Sequence, residues 1–437
     1  QSDIGSVLEP LYEAASELGK LHAIYEVQLQ KLGGPDRQAM YQRLAELAET
    51  RLYDQTKALT WWCEALVEDP KWERALEESE RLAGETGAWP DMVSAYTRAL
   101  ERSSAPTDKE TRRGTLLRLA RVYEFELHDA AHAVETHLAA LEIAPKDADA
   151  LAALDRLYLN AGMYDDLAEI LRRRIEVVSD PDEQLELYFR RGAIFSDALG
   201  DLDQALKCYT AVLDQESRNR RALESIETIH FRKEDWKQLY ETYEKLIDCA
   251  DTDSEMADIY ARMARLCSDA LNQEEKAIEL LGRVLDIRGE EPEALGALAD
   301  LTTRQGKWEE LVEIVERQIA VAPDNEQIPL YKHLGRVWEE KLGRERNALD
   351  AWLAADRIDG NDLETLRSLA RLYRSTQAWD ELSQTIRRII DAGQLQGSID
   401  EHETIELYAQ RGQLEGDVLG RVDEAVDAWR RVVAIDP

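Results

Sequence analysis

The sequence has few cysteines, few phenylalanines, a deficit of positive charge and no long apolar run. Of its 437 residues only four are Cys and four are Phe. No two cysteines form a Cys-x-x-Cys pair, which argues against the common structural zinc sites, and reduced thiols are typical of a reducing compartment. No stretch approaches the roughly 18 consecutive apolar residues of a membrane-spanning helix. The sequence therefore excludes a disulfide scaffold and membrane insertion.

The charge balance limits the classes of partner. The chain carries 54 Lys and Arg residues against 89 Asp and Glu residues, a formal net charge of −35. Because nucleic-acid binders need a basic surface, we expect no nucleic-acid partner and disfavour RNA binding. The first residues are polar and do not resemble a signal peptide. We expect a cytoplasmic protein, and a periplasmic location stays open if a signal peptide has been removed.

An internal repeat organises the whole chain. A small residue recurs at Ala45, Ala120, Gly192, Ala264, Gly335 and Gly412, at intervals of 71 to 77 residues. A downstream alanine, from Ala58 to Ala425, keeps the same intervals, and independent columns that share one set of steps indicate a true repeat. We divide the chain into six units of about 73 residues. Their approximate ranges are 1–72, 73–147, 148–219, 220–291, 292–362 and 363–437.

Each unit has the pattern of two helical hairpins. Ala150, Leu151, Leu154, Leu157 and Tyr158 form one apolar stripe at helical spacing. No stretch alternates with period two for long enough to predict a sheet. Prolines mostly lie at the expected helix boundaries, where they cost no helical hydrogen bond. The sequence therefore predicts an all-α protein.

These columns resemble the tetratricopeptide repeat (TPR) family. In the third unit the run is Tyr188, Gly192 and Phe195 on the first helix, then Ala205 and Tyr209 on the second. The resemblance implies an α-α superhelical solenoid of about 12 hairpins and 24 helices, with a concave groove lined by the first helices. Two departures stand out. In one hairpin of each unit, the connection between the helices is about one residue longer than in the family pattern. The other hairpin lacks the small residue on its first helix, where Glu80, Asp155 and Glu227 stand instead.

The resemblance also indicates which side chains face the groove. These residues mix apolar anchors with cations, so a peptide with hydrophobic and acidic side chains would suit them. The alternative is that each cation pairs with neighbouring Asp or Glu residues. The candidate partner-binding residues are Leu117, Arg121, Phe125, Phe189, Arg190, Arg262, Arg265, Lys332 and Arg336. Trp61 and Trp72 fall outside the core columns and are candidates for exposed hot spots, with packing between helices as the alternative.

No catalytic or metal-binding motif emerges. His128, His132 and His137 lie within ten residues, but His137 occupies a core aromatic slot and His128 a turn. We therefore predict no metal, no cofactor and no enzyme activity. The predicted function is a non-catalytic scaffold that binds partner proteins or peptides. The alternatives are a regulatory or sensor arm of a larger enzyme or transcription regulator, and a structural spacer in a bacterial envelope or motility assembly. We also expect that the chain is a segment of a longer protein; the sequence leaves the oligomeric state open.

Overall fold

The computed structural model describes residues 2–102 and 108–436, with side chains from residue 7 onward. These residues contain 24 α-helices, four short π-helical turns and no β-strand, so the predicted all-α repeat fold is confirmed. Within the same ranges, no helix combines the length and the apolar character needed to cross a bilayer.

The chain forms two compact units, residues 1–217 and 218–437. The helices of the first unit are α1 (Ser2–Ala14), α2 (Leu18–Leu29), α3 (Gly34–Thr50), α4 (Gln55–Glu68), α5 (Glu73–Thr86), α6 (Trp89–Arg102), α7 (Lys109–Arg121), α8 (Ala130–Ile143), α9 (Ala148–Ala161), α10 (Tyr164–Ile175), α11 (Pro181–Ala193) and α12 (Leu202–Gln215). Its π turns are π1 (Val122–Glu126), which follows α7, and π2 (Ile194–Leu199), which follows α11.

The second unit continues the same order of elements. Its helices are α13 (Arg220–Arg232), α14 (Trp236–Ile247), α15 (Asp253–Asp269), α16 (Glu274–Arg288), α17 (Pro292–Gln305), α18 (Trp308–Val321), α19 (Asp324–Arg336), α20 (Glu345–Ile358), α21 (Leu363–Ser375), α22 (Trp379–Gln396), α23 (Glu401–Gln413) and α24 (Val422–Ile435). Its π turns are π3 (Val337–Lys341) and π4 (Leu414–Val418).

Each odd-numbered helix packs on the even-numbered helix that follows it, which makes a hairpin. We call the hairpins that begin with α3, α7, α11, α15, α19 and α23 the A-hairpins, because their first helix carries the small residue. The B-hairpins begin with α1, α5, α9, α13, α17 and α21. Each hairpin turn contains a residue with φ between 52° and 72°. In the B-hairpins these residues are Ser16, Gly87, Gly162, Glu234, Gly306 and Gln377.

The extra residue of the A-hairpins forms a π turn. After α7 the Leu127 amide donates to the Val122 carbonyl, five residues back, at 3.0 Å. The same spacing closes α3, where the Leu52 amide donates to the Leu47 carbonyl at 3.0 Å. A π turn inserts one residue into a helix without breaking its chain of hydrogen bonds. This explains why the A-hairpins depart from the family spacing by a single residue.

The small-residue column lets the two helices of an A-hairpin approach closely. A Cβ atom at Gly192 would lie 2.7 Å from the Tyr209 ring, and one at Gly335 would lie 2.7 Å from the Trp352 indole. Real Cβ contacts are longer than that, so these large aromatic rings need glycine opposite them. The Trp352 indole is completely enclosed in this way, and Trp62 is enclosed almost as fully in the repeat that has Ala45 in the small-residue column.

Candidate functional site

Two of the expected groove arginines are bound by carboxylates of the neighbouring B-hairpin. The Arg190 guanidinium donates to both oxygens of Asp155, at 2.7 and 2.9 Å, and that carboxylate is 4% exposed. The Arg262 guanidinium lies 2.6 Å from the Glu227 carboxylate and 5.2 Å from the centre of the Tyr243 ring. Both arginines are therefore neutralised by carboxylates of the chain itself. This is the alternative that the sequence left open for them, pairing with neighbouring Asp or Glu residues.

Lys332 and Arg336 are paired in a similar way, on the face of α19. The Lys332 ammonium lies 2.8 Å from Asp362 and 2.9 Å from Glu364, and Arg336 also contacts Glu364. Burial would lower the pKa of Lys332, but the hydrogen bonds to the two carboxylates outweigh burial and raise that pKa. The lysine is therefore charged and internally neutralised.

Phe189 requires a correction, because it does not face a groove. Its side chain is 6% exposed, and its ring centre lies 5.8 Å from that of Tyr209 in the core of the α11–α12 hairpin. Leu117 is half-buried and packs against the core cluster that contains Leu151 and Leu154. Each apolar side chain gains more from this burial than from exposure on the face.

Trp61 and Trp72 are also corrected, because neither is an exposed hot spot. The Trp61 indole N–H donates to Nε2 of His22 at 2.9 Å, and the ring packs on the first core cluster. Burial lowers the pKa of His22, which favours the neutral ring that accepts this bond. Trp72 stands edge-on to Trp62, with ring centres 5.6 Å apart. Both are half-buried packing residues between helices.

Two candidates remain available in the first unit, Arg121 and Phe125. Together with Arg156 and Leu159 on α9 they form a small surface that we call the α7–α9 patch. Phe125 lies in the π1 turn and is 51% exposed, and Leu159 on α9 is 49% exposed. The Arg156 guanidinium lies 5.4 Å from the centre of the Phe125 ring and donates to the Glu124 carboxylate at 2.6 and 2.9 Å. Arg121, one turn before Phe125, is exposed and finds no ion-pair partner among the described residues.

The sequence pattern predicts Arg121 and Phe125 as exposed binding residues but gives no prediction for Arg156 and Leu159. Both lie on the first helix of a B-hairpin, and the residue in the Leu159 column of the next repeat is Phe231, which is 61% exposed beside Trp236. A large apolar residue at this column, where Gly84 and Thr303 stand elsewhere, was the available signal.

In the second unit, Arg265 lines an open cleft between α15 and α17 with a volume of about 200 Å³. The cleft exists because the helices present alanines to each other, at Ala261, Ala294 and Ala297. Arg304, also in the lining, donates to the Ser268 hydroxyl at 3.1 Å. The lining also contains four acidic residues, Asp269, Glu291, Glu293 and Asp300.

The histidines of α8 and its turn are structural. His132 stacks on Tyr123 and contacts Asp129 through Nδ1 at 2.7 Å. His137 is 3% exposed inside the hairpin. Across residues 2–102 and 108–436, no three His, Cys, Asp or Glu side chains converge in a way that could hold a metal ion.

Comparison with known proteins identifies the repeat. Residues 150–185 and 294–329 match the family model of the tetratricopeptide repeat. No curated protein matches the chain.

Several solved structures are similar. The C-terminal part of a TPR repeat-containing protein from Cytophaga hutchinsonii is 12% identical, with 57% of this chain and 95% of that chain covered and a TM-score of 0.33. MamA from Desulfovibrio magneticus RS-1 is 15% identical, with 41% and 94% covered and a TM-score of 0.27. YrrB, described as a TPR protein with an unusual peptide-binding site, is 16% identical, with 47% and 98% covered and a TM-score of 0.27. At these TM-scores the likenesses carry no argument about function.

Proposed function

We propose that the chain, in which residues 150–185 and 294–329 match the tetratricopeptide repeat model, is a non-catalytic scaffold that binds a partner protein or peptide through the exposed face of its first helices. The observation that carries this proposal is the α7–α9 patch. It combines a half-exposed aromatic ring with two guanidinium groups on the surface of a strongly acidic chain.

The apolar part of the patch supports an anchoring role. Phe125 and Leu159 are each about half exposed, although burial of such side chains stabilises a fold by roughly 1.5–3 kcal/mol. Arg156 is positioned over one face of the Phe125 ring, while the exposed half of the ring stays free for a ligand. Aromatic and arginine side chains are the residue types that carry most binding energy at protein interfaces.

The charge of the patch indicates the class of ligand. Arg156 is balanced by Glu124, whereas Arg121 has no ion-pair partner among the described residues and is available to an acidic group of a ligand. A peptide with an acidic residue next to an apolar residue would place its carboxylate near Arg121 and its apolar side chain on Phe125. Complementary charge of this kind raises the association rate and selects against basic partners.

The thiols support the proposed cytoplasmic location. The four cysteines are free, and Cys63, Cys208 and Cys267 are buried within helical packing. Burial raises the pKa of Cys63 to about 12, so its thiol stays protonated and unreactive. Such thiols serve as small core residues.

The test is a selection of peptides from a random display library against the 437-residue chain, followed by affinity measurements on the variants. We expect selected peptides rich in apolar and acidic residues. Arg121→Glu should weaken their binding at least tenfold, with the largest effect at low salt, and Phe125→Ala should weaken it severalfold at any salt concentration.

The matched control is Phe231→Ala, which removes a somewhat more exposed phenylalanine from the second unit and should leave binding unchanged. Circular dichroism should show that helicity is retained in each variant. Phe189→Ala is unsuitable because it opens a cavity in the core. If Arg121→Glu and Phe125→Ala bind the selected peptides as the unchanged chain does, the patch is not the binding site.

A further inference from the structure

The cleft between α15 and α17 lies at Ala261, three residues before the small residue of that repeat. Four other repeats have a larger side chain in this column, and these residues are Gln42, Leu117, Phe189 and Lys332. The cleft has a volume of about 200 Å³. A cavity of roughly 10–15 Å³ already holds one water molecule. The space beside Ala261 is therefore large enough for a side chain of the kind that the other repeats place there.

In the next repeat this column carries Lys332, and the contacts of its side chain show what the site binds. The Lys332 ammonium lies 2.8 Å from Asp362, the N-cap residue of α21, and 2.9 Å from Glu364 in the first turn of that helix. The lysine side chain is only 16% exposed. Arg336, one turn further along α19, contacts the same Glu364 carboxylate. A lysine in this column is thus held by two carboxylates at the start of the next B-hairpin.

The α15–α17 cleft keeps both carboxylates, although its own column has alanine in place of the lysine. Glu291 and Glu293 follow the small residue Ala264 by 27 and 29 residues. Asp362 and Glu364 have the same spacing from the small residue of their own repeat. Both glutamates line the cleft. The repeat therefore has the acceptors of a lysine site without the lysine.

These two carboxylates have capacity for a further hydrogen-bond donor. Arg288 lies 2.9 Å from Glu291, but a carboxylate has two oxygens and about four lone-pair sites. Glu293 is exposed and has no ion-pair partner among the residues that the structure describes. The lining as a whole has four carboxylates against two guanidinium groups, so its charge favours a cationic ligand.

From this comparison of two repeats we infer that the α15–α17 cleft binds a lysine side chain of a partner protein, in the place that Lys332 holds in the next repeat. The ligand ammonium donates to Glu291 and Glu293, and its methylene chain lies against Ala261 and Ala297, which line the cleft. A lysine packs its stem on apolar surface in this way while its charged end stays at a polar rim. The site lies in the second unit and shares no residue with the α7–α9 patch.

The chemistry of the acceptors favours lysine over arginine. An ammonium is a compact charge on a flexible stem, with three donors that can turn towards carboxylates at separate positions. A guanidinium is planar and best suited to one carboxylate that it binds through two parallel hydrogen bonds. The Lys332 site shows the first arrangement, with Asp362 and Glu364 as separate acceptors.

The first experiment builds the lysine into the chain itself. Ala261→Lys should raise the melting temperature, because the new ammonium reaches Glu291 and Glu293 as Lys332 reaches their counterparts. Ala261→Met, with a side chain of similar length and no charge, is the matched control and should raise it less. Glu293→Gln should remove most of the difference between the two variants, as a double-mutant cycle measures. If Ala261→Lys is no more stable than Ala261→Met, the cleft does not bind an ammonium group and the proposal is wrong.

The second experiment measures binding to the 437-residue chain by saturation-transfer NMR. The probe is a blocked pentapeptide with lysine between two pairs of glycines, compared with the same peptide carrying norleucine or arginine at the centre. We expect the lysine peptide to bind, and to bind more weakly as the salt concentration rises. Glu293→Gln should weaken its binding about tenfold, and Ala261→Lys should abolish binding because that variant fills the cleft. The matched control is Glu313→Gln, which removes an exposed carboxylate of α18 outside the cleft.

Three outcomes of the second experiment would overturn the proposal. Equal binding of the norleucine peptide would show that the cleft takes an apolar chain and makes no use of the charge. Equal binding of the arginine peptide, or equal weakening by Glu313→Gln, would show a general attraction of cations to the acidic chain. Absence of binding by the lysine peptide at millimolar concentration would show that the cleft has no affinity for this side chain.

Discussion

Arg190 on α11 donates hydrogen bonds to both oxygens of the buried Asp155 carboxylate on α9. An arginine–carboxylate pair occupies the same positions in four successive repeats. Arg43 lies 3.9 Å from Glu9, Arg118 lies 3.3 Å from Glu80, and Arg262 lies 2.6 Å from Glu227. In each case the carboxylate is on the first helix of a B-hairpin and the arginine is on the first helix of the next A-hairpin. Both members are absent from the last two repeats, which carry Ala299 with His333 and Ala370 with Gln410.

A tyrosine completes three of these four sets. The Tyr25 hydroxyl donates to Glu9 at 2.8 Å, and the Tyr96 hydroxyl donates to Glu80 at 2.9 Å. Burial, together with the bond to Glu9, raises the pKa of Tyr25 to about 12. In the Asp155 set, where Leu171 holds the tyrosine position, Arg174 contacts the carboxylate instead. The two repeats without the carboxylate and the arginine have Val315 and Ile386 at this position, so the charged pair is present or absent as a whole, whereas the tyrosine is replaced in one charged set.

The first prediction concerns the Asp155 carboxylate. Asp155→Ala should lower the free energy of unfolding by about 2 kcal/mol, because Arg174 and Arg190 then lose the acceptor they share in a buried site. Arg190→Gln should cost less, about 1 kcal/mol, since Arg174 still satisfies the carboxylate. Chemical denaturation measures both values, and hydrogen exchange should become faster in α9 and α11.

A surface ion pair provides the control for this prediction. Glu169→Ala removes a carboxylate that pairs with Arg172 on the exposed face of α10, and should change stability by less than about 0.5 kcal/mol. Equal losses for Asp155→Ala and Glu169→Ala would show that the buried set contributes nothing beyond an ordinary surface pair.

The second prediction concerns the left-handed turn residues. Gln377 has φ of 60° and is exposed between α21 and α22, a conformation that costs a side chain about 1 kcal/mol relative to glycine. Gln377→Gly should therefore raise the melting temperature. Gly162 has φ of 68°, and a Cβ atom there would meet nothing within 4 Å, so Gly162→Ala should lower the melting temperature through backbone strain alone. Opposite or absent shifts in calorimetry would contradict this account.

The third prediction concerns pH and His137. Burial lowers the pKa of His137, and neither ring nitrogen has a hydrogen-bond partner among the described residues. The nearby charges are Glu124 and Asp147, which raise that pKa, and Arg156, which lowers it. The unfolded chain therefore binds a proton more readily than the native one, and stability is lost as pH falls through the ordinary histidine pKa near 6.5.

The variant His137→Leu isolates this effect, because Leu281 holds the same slot opposite Ala264, as His137 does opposite Ala120. The melting temperature of the variant minus that of the unchanged chain should increase as pH falls from 7 to 5. Above pH 7.5 this difference should be constant. Thermal unfolding at a series of pH values measures the difference. A difference independent of pH would show that His137 does not titrate in this range.

The sequence predicts the fold well because the repeat places equivalent residues in equivalent environments. The small residue at Gly192 and the aromatic ring at Tyr209 meet as the family pattern implies, and the helix boundaries follow the proline and glycine positions. The extra residue of the A-hairpins was visible in the spacing. The sequence does not predict that this residue forms a π turn, because the turn type depends on which backbone carbonyl accepts the hydrogen bond from the Leu127 amide.

The candidate site was harder to predict because exposure depends on neighbouring helices. Phe189 and Phe125 were both assigned to the groove, yet the first is enclosed by Tyr209 and the second is displayed in a π turn. The arginines at positions 190 and 262 were assigned from their own helix. Their state is decided by Asp155 and Glu227, which lie about 35 residues earlier in the chain. The partner-binding role of the remaining candidates stays a prediction.

The shared carboxylates limit how this array can be recombined. A junction placed between α10 and α11 would separate Asp155 from Arg190, so the buried carboxylate would keep Arg174 but lose its second guanidinium partner, and Arg190 would lose its acceptor. The segment from α17 to α23 has no arginine–carboxylate pairs at the equivalent positions. Replacement of hairpins within that segment should therefore destabilise the array less. The chain is therefore modular only in blocks, and the block boundaries are set by charge rather than by the 73-residue period.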